Sequence, residues 1–137
     1  MRYCFAFLFV LAFAPFLVSA HGVGGTLETV VEGYLVDIGY QPANPRAGIP
    51  VAYDFLLTDS ATGRPAEFDF MWVRVSKGKN TVLATGIAKA EFGPTTLVYT
   101  YPEGGDDYEI AVRFEGAEAT LAEATFSNLP VEGASAA

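Results

Sequence analysis

From about residue 34 onward, hydrophobic and polar positions alternate with a period of two, and each run ends in a turn. Tyr34, Val36, Ile38 and Tyr40 alternate with Leu35, Asp37 and Gly39, and Val51, Tyr53, Phe55 and Leu57 with Ala52, Asp54 and Leu56. Between them, Gln41 to Gly48 holds Pro42, Pro45 and Gly48, and proline lacks the donor that a central ladder needs. Further strands are predicted over about 68–76, 81–88, 95–101, 108–115 and 119–131, punctuated by Asp59-Ser60, Thr62-Gly63, Lys77-Gly78-Lys79-Asn80, Pro102-Glu103-Gly104-Gly105 and Gly116. No window carries a sustained helical period. About seven short strands at regular spacing predict an all-β chain, an immunoglobulin-like antiparallel β-sandwich spanning residues 34–131. Residues 21–33 have β-propensity between flanking glycines and read as an edge strand or a flexible lead-in. The small, polar residues 132–137 read as a frayed tail.

One segment carries a fold-specific pattern. In Gly105-Asp106-Asp107-Tyr108-Glu109-Ile110, the Tyr stands where immunoglobulin-type sandwiches place a tyrosine whose hydroxyl bonds back to the turn. Ile110, two residues on, takes the core position, and Trp72 becomes the candidate strand-C tryptophan.

The first twenty residues have a different character. Arg2 precedes an apolar run from Phe5 to Leu17, followed by Val18-Ser19-Ala20, the layout of a cleaved secretory signal peptide. Thirteen residues are too few to span a bilayer, which takes roughly 20. Cleavage after Ala20 removes Cys4, the one cysteine, and makes His21 the first residue. Disulfide scaffolds, thiol chemistry and cysteine metal sites are then excluded. Only Arg2 of the 8 Lys+Arg is lost, against 16 Asp+Glu that all remain, so the mature chain is strongly acidic. Such a surface repels nucleic acid and anionic lipid. The expectation is a secreted or periplasmic protein with no stable membrane insertion.

Chemistry-bearing candidates are few. His21 is the one histidine, so a two-imidazole metal site is excluded. A catalytic triad would have to use it from a glycine-flanked terminus, where a base is poorly held, and the chain is expected not to be an enzyme. An N-terminal His does offer its α-amine and its Nδ1 as a chelating pair, which suits Cu(II). The alternative is that a residue following a cleavage site has no role.

The strand near Trp72 offers a second candidate. With Met71, Val73 and Val75 inward, Phe68, Phe70, Trp72 and Arg74 form an outward stripe suited to a protein or carbohydrate partner. The opposite register buries Trp72, as the strand-C analogy suggests, but turns Arg74 inward. Carboxylates at Asp37, Asp54, Glu67, Asp69, Asp106, Asp107 and Glu109 read as solvated, ion-paired or turn acids, and no calcium-loop spacing is present. Paired acids could also serve a small hydrolase if two faced each other across a cleft.

Tyr34 to Pro42, then Arg46-Ala47-Gly48-Ile49-Pro50-Val51, Phe55 to Asp59 and Gly63-Arg64-Pro65 together resemble the opening of a YtkA-like domain. Pro102 to Gly105, leading into Tyr108-Glu109-Ile110-Ala111-Val112, resembles that family's approach to a central strand. The resemblance covers most of 34–131. It implies an exported immunoglobulin-like sandwich similar to the CopC-type copper carriers, whose mature chains begin with His. His21 is the one ligand it transfers. The carriers' second imidazole and methionine-rich loop have no counterpart, and Met71 stands isolated. The sequence therefore predicts an exported, non-catalytic binding protein, with copper at His21 as its metal. The alternative is an accessory module that contacts an envelope protein or glycan through an aromatic sheet face.

Overall fold

The computed structural model describes residues 24–134. Eight strands run in chain order: β1 (Gly25–Val31), β2 (Tyr34–Gln41), β3 (Val51–Asp59), β4 (Phe70–Lys77), β5 (Asn80–Ala88), β6 (Thr95–Tyr99), β7 (Gly105–Glu115) and β8 (Thr120–Val131). They form two antiparallel four-stranded sheets, β1-β2-β3-β6 and β5-β4-β7-β8, a β-sandwich. β3 pairs directly with β6 although β4 and β5, which intervene in sequence, belong to the other sheet, and β4 pairs with β7, so the connections are of Greek-key type. Among the described residues no helix is long and apolar enough to cross a membrane.

Alternation in the chain becomes burial in the structure because successive strand side chains point to opposite faces. In β3, Val51, Tyr53, Phe55 and Leu57 are all buried. Across the sandwich they meet Met71, Val73 and Val75 of β4 and Tyr108, Ile110, Val112 and Phe114 of β7. The eighth strand comes from the segment with two open readings. β1 pairs with β2 from Gly25↔Tyr40 to Val31↔Tyr34. Glu32 and Gly33 close this hairpin, both with positive φ (50° and 85°), the two-residue turn whose twist matches the strands.

Tyr108 is fully buried and its hydroxyl donates to the Glu103 carbonyl at 2.6 Å. The tyrosine anticipated at this corner therefore ties β7 to the preceding turn. Glu132 is less loose than a frayed tail implies. Its amide donates to Pro45 O and its carbonyl accepts from Ala47 N, both at 2.8 Å, while its carboxylate meets Arg46 at 2.7 Å. Residues 1–20, His21 and 135–137 lie outside the described residues.

Candidate functional site

β4 settles which register its side chains take. Met71, Val73 and Val75 are buried, so Trp72 and Arg74 face outward on the β5-β4-β7-β8 sheet. Trp72 is 45% exposed and Phe70 half-buried. The inward tryptophan suggested by the strand-C analogy is not found, because the three apolar neighbours and the charged Arg74 both favour the other register. Phe68 leaves the stripe. It is 6% exposed, edge-on to Phe114 with centroids 5.0 Å apart. Residues 66–69 precede the strand, so its two-residue period does not reach back to Phe68.

Cross-strand register builds the surroundings of Trp72. On one side it faces Gly86 of β5, on the other Arg113 of β7. The indole lies over Gly86, where an added Cβ would sit 3.1 Å from a ring carbon. An aromatic ring covering a cross-strand glycine compensates for that glycine's missing side chain. Phe70 meets the indole edge-to-face, centroids 5.6 Å apart, which fixes the ring further. Arg74 stands between Ala84 and Ala111, two side chains too short to fill the space beside it. The result is a shallow depression of about 210 Å³ bounded by Trp72, Arg74, Arg113 and Glu123, with Ala84 and Ala111 among its lining.

Its rim is charged in both senses. Arg74 reaches Glu109 at 3.7 Å, and Ser127 donates to the same carboxylate at 3.2 Å. Arg113 pairs closely with Glu115, which also accepts from Thr120 at 3.0 Å. With their guanidinium ends in solvent, these pairs add little stability. Their consequence is positional: planar guanidinium and carboxylate groups are already oriented around an indole. Arg113, Glu115 and Glu123 were not singled out in the sequence. The signal was present for the first two, since both occupy outward positions in the alternating run Tyr108 to Glu115.

The other carboxylates are dispersed. Asp37 is 7% exposed within β2 rather than solvated. Asp54 accepts from Thr96 at 2.8 Å, Glu67 pairs with Lys89 at 3.3 Å, and Asp107 pairs with Lys77 at 3.5 Å. Among the described residues no group of three or more His, Cys, Asp or Glu could hold a metal ion. His21 lies outside those residues.

No family model matches the chain, and no curated protein matches it either. Among solved structures, the crystal structure of an engineered protein is similar at 18% identity and a TM-score of 0.47. That likeness covers 72% of this chain, which spans about a fifth of the engineered one (20%).

Proposed function

We propose that this domain is a non-catalytic binding module of the cell exterior or periplasm whose Trp72 face holds a neutral glycan. The observation that carries the reading is a half-exposed indole set in a depression whose rim presents guanidinium and carboxylate groups together. A sugar ring offers a face of C–H groups that packs on an aromatic plane, and hydroxyls that both donate and accept. Carboxylates of Glu109 or Glu123 accept from such hydroxyls, and Arg74 and Arg113 donate to them. A charged ligand would meet a like charge somewhere on this rim, whereas a neutral polyhydroxyl ligand meets none. The resemblance of residues 34–131 to YtkA-like domains supports an exported binding role. The export signal in 1–20 and a Cu(II) chelate at His21 are readings of the sequence.

Affinity electrophoresis through gels containing cellulose derivative, xylan, mannan or soluble chitin tests the glycan reading. Retardation by at least one polysaccharide is expected. Trp72→Ala should weaken it tenfold or more, and Arg113→Ala by a smaller factor. No retardation in any gel, or retardation unchanged in Trp72→Ala, overturns the proposal.

A further inference from the structure

A second concavity lies inside the sandwich, at the edge where β1 and β8 come together. It measures about 120 Å³. Its walls are mostly apolar: Leu27 from β1, Pro45 from the β2–β3 loop, Ile110 from β7, and Leu129 and Val131 from β8, with Asn44 and Glu132 as polar members. Tyr40, Tyr53 and Tyr101 complete it. Tyr53 and Tyr101 are 3% and 1% exposed, and their hydroxyl oxygens stand 2.5 Å apart.

Two neutral phenols hold two protons between them, and one hydrogen bond uses only one. Burial keeps both protons in place. Loss of solvation, reinforced by the neighbouring Tyr101, pushes Tyr53 far above the ordinary tyrosine range, and loss of solvation also raises Tyr101. Whichever hydroxyl accepts in the pair therefore retains an O–H of its own. Among the described residues no third group takes that proton. A buried donor without a partner is costly, about 1–3 kcal/mol, and both residues line the concavity. The spare donor is best satisfied by an acceptor placed there.

We infer that this pocket is a binding site for a small neutral ring compound bearing one acceptor oxygen, such as a cyclic ketone or alcohol. Size limits the class: an apolar cavity of about 150 Å³ accommodates benzene, so this smaller concavity of about 120 Å³ takes a small ring with its far side left at the open mouth. Chemistry limits it too. No cationic side chain lines the pocket, and Glu132 at its rim is held by Arg46. An anion would have no countercharge, and the Tyr53–Tyr101 pair supplies a donor to a neutral acceptor. The inference is independent of the glycan reading, since the pocket shares no residue with the Trp72 depression.

Methyl NMR of the full exported chain, titrated with cyclohexanone and separately with methylenecyclohexane, provides the test. The second probe has nearly the same shape without the oxygen. Saturable shifts at Leu27, Ile110 and Leu129 are expected, with cyclohexanone bound about tenfold tighter, the factor that one buried hydrogen bond supplies. Tyr53→Phe and Tyr101→Phe should each retain the preference, because the surviving hydroxyl still donates its own proton. The double variant should bind both probes equally. Leu129→Trp, which fills the mouth and leaves both hydroxyls intact, should abolish binding of either. A pocket that holds only water, so that neither probe saturates the methyls, overturns the inference. So does a preference for the ketone that survives in the double variant.

Discussion

Replacing Tyr108 by Phe removes one oxygen and leaves the rest of the ring in place. The ring is fully buried and meets Tyr101 edge-on at 4.8 Å, a contact the substitution preserves. What disappears is the 2.6 Å bond to the carbonyl of Glu103. A net hydrogen bond is worth about 0.5–1.5 kcal/mol, and a carbonyl left without its partner adds to the loss. Relief from burying the hydroxyl offsets part of it. The expected cost is about 1–2 kcal/mol, which at a urea m-value near 2 kcal/mol/M lowers the unfolding midpoint by roughly 0.5–1 M with the slope unchanged. Tyr99→Phe, on a half-buried ring, should change stability by less than about 0.5 kcal/mol. Equilibrium urea unfolding followed by far-UV circular dichroism measures both. A Tyr108→Phe midpoint indistinguishable from wild type would refute the view that this hydroxyl anchors the corner.

Phe68→Ala should cost about 3–5 kcal/mol, as for a core phenylalanine. Trp72→Ala, on a side chain 45% exposed that packs on Gly86 and Phe70, should cost less than Phe68→Ala, about 1–3 kcal/mol; calorimetric melting of the two variants measures the contrast. Burial raises the pKa of Tyr53, Tyr101, Tyr108 and Tyr99 above the ordinary tyrosine value near 10. Above that pH the unfolded chain releases phenolic protons that the folded chain keeps, so stability should hold below about pH 10 and fall as pH rises past it. Tyrosinate absorbance that rises together with unfolding is the expected observation; full titration of all tyrosines near pH 10 in the folded state would contradict it. Protein recovered from the secreted or periplasmic fraction should have the mass of cleavage after Ala20 and bind one Cu(II) in calorimetric titration, a site lost in His21→Ala. Equal weak binding by both proteins ends the copper reading.

The sandwich was legible in the chain because its central strands are buried on one face, and a one-residue slip would expose every apolar side chain. Val51 to Leu57 and Tyr108 to Phe114 show this alternation plainly, and the corner tyrosine followed from its place ahead of the second run. β1 was ambiguous for the opposite reason. An edge strand has one ladder neighbour, and its side chains alternate between exposed and half-buried rather than exposed and buried. The facing of Trp72 was better told by its local neighbours than by analogy, since burying it would also have buried Arg74. The depression beside it depends on Gly86, Ala84 and Ala111 meeting Trp72 and Arg74 across two strand pairings, and register between distant segments is not written in either strand alone. The inter-sheet pocket is less visible still. Tyr53 and Tyr101 lie on separate strand-and-loop segments, and only the folded sandwich brings their oxygens together.

The chain contains a single tryptophan, and it lies on an outer sheet surface instead of in the interior. Intrinsic indole emission should therefore report on the outer face of the β5-β4-β7-β8 sheet. The same fluorophore sits where a sugar is expected to land, so its quenching or blue shift offers a label-free reporter of occupancy.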